Sequence, residues 1–258
     1  MKNFKLMQII PSLMSGGAEQ GALDVANYLA SLEIDNCICS NGGRMLSYLD
    51  KKKIKHFKLS VHSKNLFTMP FIARKINIIL NNEKIDILHF RSRAPAWLLP
   101  YLNTKNLKTV STFHNIYGSQ NFLKRIYNSQ LGKVDNIVAI SNYVKDEIIR
   151  KYNINPDKIT VINRGIDTNF FDITKKNDDK NFMNFLRKYN IEFEKKIILF
   201  PGRLTNWKGQ IEFLKIVEYF KDKPIIFYFV GDNKNTSYLN SFLKIIKNKN
   251  LGSHCKVL

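Results

Sequence analysis

The sequence predicts a doubly wound α/β fold in two domains, and three observations carry that prediction. Short apolar runs rich in isoleucine, valine and phenylalanine recur along the 258 residues. They are apolar throughout instead of alternating, as strands of a parallel sheet covered on both faces must be. Segments of helical periodicity separate most of them, and a polar, turn-prone stretch, Lys175–Asn181, breaks the pattern before strand-like sequence restarts at Ile197.

In chain order, the first predicted strand is Phe4–Ile10, stopped by Pro11, and the first helix is Ala18–Leu32. A strand at Asn36–Ser40, a helix at Leu66–Leu80 and strands at Ile85–Phe90, Thr109–Phe113 and Asn136–Ile140 follow. Ser141 reads as the cap of a helix over Asn142–Tyr152, and Ile159–Ile162 closes a first domain of six or seven strands. After a short helical piece near Phe182–Tyr189 come strand Ile197–Phe200, helix Gln210–Phe220, strand Ile225–Val230, a further helix, and a strand beginning at Cys255. The expected boundaries are an N-terminal domain over 1–170, a linker over 171–194 and a C-terminal domain over 195–258. Doubly wound domains usually run to about 100–150 residues, so the second is expected to be incomplete, a C-terminal truncation. Its last strand, Cys255–Leu258, is expected to be an open apolar edge, and chain beyond about Lys195 to be digested faster than the rest.

Composition narrows the function classes. A 44% hydrophobic content supports a real core, and the formal charge is +20, with lysine supplying 32 of the 41 basic residues. Such a surface is drawn to anions, whether membrane phospholipid, lipid-linked phosphate or nucleic acid, although a solvated lysine surface is the plainer reading. Nucleic acid is not expected, because no module interleaves aromatic and basic residues. No apolar run is long enough to span a bilayer, and the N-terminus opens directly into a strand. Any membrane contact is therefore expected to be peripheral. Cys37, Cys39 and Cys255 offer neither metal spacing nor an even disulfide set, which suits a reducing compartment; Cys37 and Cys39 are read as facing opposite sides of their strand.

Two stretches read as phosphate-binding turns. Ser15-Gly16-Gly17-Ala18-Glu19 follows the first strand and opens a helix, where free backbone N–H groups favour a phosphate, although the Gly-x-Gly-x-x-Gly fingerprint is absent. Gly202-Arg203-Leu204-Thr205-Asn206-Trp207-Lys208-Gly209 follows the strand Ile197–Phe200 and also precedes a helix. Arg203 and Lys208 there suit a diphosphate. His114 ends the strand Thr109–Phe113 at the carboxyl edge of the sheet, where open α/β proteins bind ligands. Arg91 and Arg93 follow the neighbouring strand, and Asn142 begins a helix at the same edge. His89 reads as a core histidine; His56 and His62, in an exposed lysine-rich region, and His254 are given no role. No Ser-His-Asp set, carboxylate pair or metal-ligand cluster stands out.

Taken in order, Gly16-Gly17-Ala18-Glu19, Phe113-His114, Ala139-Ile140-Ser141, Asn163-Arg164-Gly165-Ile166-Asp167, Pro201-Gly202-Arg203 and Trp207-Lys208-Gly209 resemble the group 1, or family 4, glycosyltransferases of GT-B fold. The segment from His89 to Trp97 resembles a bacterial subgroup that builds lipopolysaccharide or other envelope glycans. The resemblance implies two Rossmann-like domains facing each other across a cleft, with a nucleotide-sugar donor as substrate and a glycan or glycolipid as acceptor. In it Arg203 and Lys208 neutralise the donor diphosphate without a metal or other cofactor. Gly16 and Gly17 approach the donor from the other domain, and His114 stands near the reacting sugar. Transfer proceeds with retention, by an internal return in which the leaving phosphate assists the acceptor hydroxyl. Two departures follow. The family's pair of donor-binding glutamates lies downstream of Leu258, so the truncated chain is expected to show little transfer by itself. Arg164 stands where asparagine is usual. A non-catalytic binding module at the membrane, or a fragment completed by a second polypeptide, is the alternative; a GT-B epimerase fits the motifs less well.

Overall fold

The computed structural model describes residues 4–118, 121–172, 174, 179–191, 194–232 and 235–258; Lys175–Asp178 of the predicted linker lie outside the described residues. The chain forms two compact units, Met1–Ile166 and Asp167–Leu258.

The first unit runs β1 (Leu6–Ile9), α1 (Gly17–Ser31), β2 (Asn36–Ser40), β3 (Lys55–Lys58), α2 (Met69–Asn82), β4 (Ile87–Phe90), α3 (Arg93–Ala96), β5 (Lys108–Phe113), α4 (Phe122–Ser129), β6 (Asn136–Ala139), α5 (Asn142–Tyr152) and β7 (Ile159–Val161). Its strands form one parallel sheet in the order β3-β2-β1-β4-β5-β6-β7. The chain order reverses between β1 and β4, which opens a crevice beyond their carboxyl ends. Both sheet faces are covered. One core gathers Met7, Ile9, Leu88, Phe90, Ile76 and Ile148; the other gathers Ile10, Leu23, Ala26, Ile38 and Met45 around α1.

Several expectations are corrected here. Cys37 and Cys39 share a single core while Ile38 faces the other, because residues two apart on a strand point to the same side. All three cysteines are free and buried, and burial pushes their thiols up to about 12, which leaves them unreactive. β3 escapes the apolar-run criterion because its sequence, Lys-His-Phe-Lys, is that of an edge strand with exposed lysines. His56 on it is half-buried and within 2.8 Å of Ser40 Oγ. Helix α4 starts where the Asn121 side chain accepts from the Lys124 amide at 2.8 Å, a local cap absent from the predicted elements.

The second unit runs α6 (Asp179–Lys188), β8 (Lys196–Pro201), α7 (Gln210–Tyr219), β9 (Ile225–Val230), α8 (Thr236–Asn248) and β10 (Cys255–Val257), with a parallel sheet ordered β10-β9-β8. Phe229 sits at the middle of its core, with ring centres 5.6 Å from Phe200, 6.1 Å from Phe213 and 4.8 Å from Phe242. As expected, β10 is an edge of this sheet, paired with β9, although Cys255–Leu258 are buried or half-buried. At the opposite edge, on β8, Ile197 and Leu199 are 44% and 57% exposed.

Candidate functional site

In the second unit the Arg203 loop leaves the carboxyl end of β8 and enters α7. Backbone bonds hold its start: the Gly202 amide donates to Val230 at 2.8 Å and the Leu204 amide to Asp232 at 3.0 Å. Gln210, fully buried at the head of α7, donates its amide to the Arg203 carbonyl at 2.9 Å and accepts from the Tyr238 hydroxyl at 3.2 Å. Leu204 is buried in the core, so the loop is clamped on both sides while the Arg203 and Lys208 side chains stand exposed. The Lys208 ammonium lies 4.5 Å from the centre of the Trp207 ring. Gly209 caps α7 at φ 77, a left-handed conformation that glycine adopts without strain. The arrangement offers a guanidinium fork, an ammonium and the open N–H groups of α7 to an anion.

Gly231 is a positioning residue that sequence reasoning missed. A Cβ there would run into the backbone carbonyl of Gly202, and a rigid neighbour cannot yield cheaply. Gly231→Ala is expected to cost the second unit about 1–3 kcal/mol, read by urea denaturation, and to displace the Arg203 loop.

In the first unit Gly16, Gly17, Arg91 and His114 gather near the β1–β4 crevice. Gly16 is at φ 135 ahead of α1, in a conformation reserved for glycine, and Gly17 begins the helix. A side chain at Gly17 would run into the guanidinium of Arg164. Arg164, read in sequence only as a replaced asparagine, thus lies at the positive end of a helix. A cation there is unfavourable by itself and favourable once an anion joins it. Arg91 lies beneath α1, 6% exposed, and a Cβ on Gly21 would stand 3.0 Å from its guanidinium. Its Nε has no partner among the described residues. Burial and then the Arg164 charge bring the Arg91 pKa down to about 10, with Asp24 acting in the opposite sense, so Arg91 stays charged at neutral pH.

His114 is set by these neighbours. Its Nδ1 lies 2.7 Å from Arg164 Nη2. A guanidinium has only donors, so Nδ1 accepts and the ring proton resides on Nε2. That Nε2 has no partner among the described residues. Burial, then the charges of Arg91 and Arg164, hold the His114 pKa at about 3, down from 6.5. His114 is therefore a neutral hydrogen-bond donor and not a base. Arg164→Ala is expected to raise this pKa only in part, because burial and Arg91 still depress it, and to release the Nδ1 constraint, mixing the two tautomers. Nitrogen-15 NMR of the imidazole would show both effects; an unchanged tautomer and titration would contradict them. The stability sign follows from linkage. A depressed histidine contributes stability fully above 6.5, and that contribution drains away as pH falls from 6.5 toward about 3. His89, whose Nε2 is 2.8 Å from Thr112 Oγ1 inside the core, is shifted the same way by burial and acts in the same direction.

Arg93 is linked to this cluster through Tyr117, on which Arg93, the His114 backbone and Arg164 all act. The Arg93 guanidinium is 3.8 Å from the Tyr117 ring centre and donates to Asn128 Oδ1 at 2.7 Å, which ties α4 to the unit. Asn142 is exposed at the first turn of α5, behind Ser141, whose hydroxyl accepts from the Val144 amide at 3.2 Å. Among the described residues no group of histidine, cysteine and carboxylate side chains is arranged to hold a metal ion.

A family model described as Glycosyltransferase Family 4 matches residues 15–170. A glycosyltransferase structure from Rickettsia africae ESF-5 aligns over all of this chain and 68% of its own length, with 34% identity and a TM-score of 0.85. The Anabaena Alr3699/HepE structure, in complex with UDP and glucose, aligns over 99% of this chain and 69% of its own, at 15% identity and a TM-score of 0.79. An Escherichia coli UDP-Gal:alpha-D-GlcNAc-diphosphoundecaprenol alpha-1,3-galactosyltransferase is 23% identical over 246 residues, 88% of this chain and 61% of that enzyme. For two further curated relatives the matched share is 24% and 40% of their length, so the chain spans well under two thirds of them.

Proposed function

This chain belongs to Glycosyltransferase Family 4, with α/β units of the GT-B class, and on that premise we propose that it transfers a sugar from a nucleotide-sugar donor to an envelope glycan or lipid-linked acceptor. The observation that carries the reading is the clamped 202–209 loop, which presents Arg203 and Lys208 at the carboxyl end of β8. The Anabaena and Escherichia coli relatives make a uridine diphosphate sugar the first donor to try, and the latter's diphosphoundecaprenol substrate suggests a lipid-linked acceptor.

In the proposed reaction the bond from the anomeric carbon to the donor phosphate breaks, and the electron pair leaves on the diphosphate. Arg203 and Lys208 offset the charge that develops there, a role filled without a metal. The acceptor hydroxyl attacks the same face of the sugar and passes its proton to the leaving phosphate oxygen, so the configuration is retained and a nucleoside diphosphate is released. His114 takes no proton in this scheme: its Nδ1 is engaged by Arg164 and its Nε2 is already protonated. Within the first unit it offers an Nε2–H donor that no described residue takes up.

Trp207 reports on the site because it stands beside Lys208. Adding UDP is expected to change the chain's tryptophan fluorescence, and Trp207→Phe to abolish that change. A signal that persists in the variant would place the binding elsewhere. Proton NMR of the glycosidic product tests retention; an inverted anomeric centre would refute it.

A further inference from the structure

Two guanidiniums in the first unit are left without a carboxylate partner among the described residues. Arg91 is 6% exposed, and its guanidinium forms no hydrogen bond or ion pair with any of them. A cation held out of water without a partner is costly, and folded chains seldom keep one. Asp24 acts on Arg91 from the same helix, α1, but its carboxylate is 2.7 Å from the Gln20 side-chain amide instead. Arg164 meets His114 Nδ1, which brings no negative charge. The Arg164 charge is felt at Arg91, and both charges are felt at His114. Each cation therefore makes the other less favourable until an anion offsets them.

Helix α1 is shaped to hold both. Gly17 and Gly21 lie one helical turn apart and so share a face of the helix. A Cβ on Gly17 would run into the Arg164 guanidinium, and one on Gly21 would stand 3.0 Å from that of Arg91. Glycine is disfavoured in a helix interior; the room that Gly21 leaves for Arg91 accounts for it here. The two guanidiniums thus line the first turn of α1, beside its open N–H groups. The Glu19 carboxylate lies against Gly16 and pairs with neither arginine. Gly17 and Arg164 are exposed, so a ligand can reach this end of the helix.

The donors indicate the ligand's chemistry. A carboxylate presents two oxygens, which a single guanidinium fork satisfies. Here two forks and a helix N-terminus come from the end of β4, the chain after β7 and the start of α1. Such a set suits the three terminal oxygens of a phosphate. All of it belongs to the first unit, whereas Arg203 and Lys208 belong to the second.

We propose that Arg91, Arg164 and the N-terminus of α1 form a second phosphate site, which takes a phosphate group of the acceptor while Arg203 and Lys208 take the donor's. That the phosphate is the acceptor's rests on the transfer reaction proposed above; the unpaired guanidiniums locate the site independently. Titrating the isotopically labelled chain with inorganic phosphate at saturating UDP tests both parts, read at the arginine Nε–Hε and histidine ring resonances. Arg91, Arg164 and His114 are expected to shift while Arg203 keeps its UDP-bound position. Arg164→Ala is expected to weaken phosphate binding about 10- to 150-fold, as for one charged hydrogen bond. Lys51→Ala/Lys52→Ala, on exposed residues before the amino end of β3, should leave it unchanged. Arg91→Met is expected to lose phosphate binding and to raise the urea midpoint of the phosphate-free chain, because it removes an unpaired buried charge. A lowered midpoint would make Arg91 a structural residue and overturn its place in the site. So would phosphate binding that Arg164→Ala leaves intact, that the lysine variant loses, or that acetate matches. Displacement of phosphate by UDP would give the site to the donor and overturn the assignment to the acceptor. UDP binding without shifts at Arg91 and Arg164 would strike this site and leave the donor reading intact. Phosphate shifts there in a chain that binds no UDP would do the reverse.

Discussion

Arg203→Ala is expected to weaken UDP binding by about 10- to 150-fold, the loss of 1.5–3 kcal/mol typical of a hydrogen bond to a charged group. The expectation rests on how the loop is built. Its backbone is pinned by Gln210 and by the Gly202 and Leu204 amides, so removing the side chain takes away the grip and leaves the loop in place. Lys208→Ala should cost less, because a strongly hydrated ammonium loses less on returning to water than a fork that binds two oxygens at once. Arg203→Lys should restore only part of the loss for the same reason. Calorimetric titration measures all three, and an Arg203→Ala affinity within twofold of wild type would show that the diphosphate is held elsewhere.

Phe229→Ala is expected to destabilise the second unit by about 3–5 kcal/mol. The ring is 1% exposed and meets Phe200, Phe213 and Phe242, which come from β8, α7 and α8. One truncation thus loosens every element that borders the Arg203 loop. Domain stabilities are commonly only 5–15 kcal/mol, so a unit of this size stands to lose much of its margin. Hydrogen exchange should show amides of β8 and β9 losing protection while those of β1 and β4 keep theirs. Equal loss in both units would contradict the independence of their cores.

The parts of the fold that local sequence determines were legible. Helix α5 begins and ends within a residue of expectation because Ser141 caps it and Asn153, at φ 52, stops it in the left-handed conformation. The apolar strands announced a parallel sheet because burial on both faces removes the alternation. β3 went unseen since an edge strand needs no such run, and the facing of Cys37 and Cys39 was misjudged against the two-residue repeat. The candidate site was legible as far as strand ends: His114 and Arg91 follow β5 and β4, and Arg203 follows β8. Which groups answer them was not legible. Arg164 meets His114 across 50 residues of chain, Arg93 turns to Asn128 and Tyr117, and Gly231 makes room for Gly202. Such pairings arise from the order of strands in the sheet and leave no local pattern.

The donor site is tested most directly by mapping UDP onto the isotopically labelled chain through its backbone amide resonances. The clamped loop predicts that the largest shifts fall on Gly202–Gln210 and vanish in Arg203→Ala. Shifts confined to other residues, or none at UDP concentrations that saturate related transferases, would contradict the assignment of the diphosphate to Arg203 and Lys208.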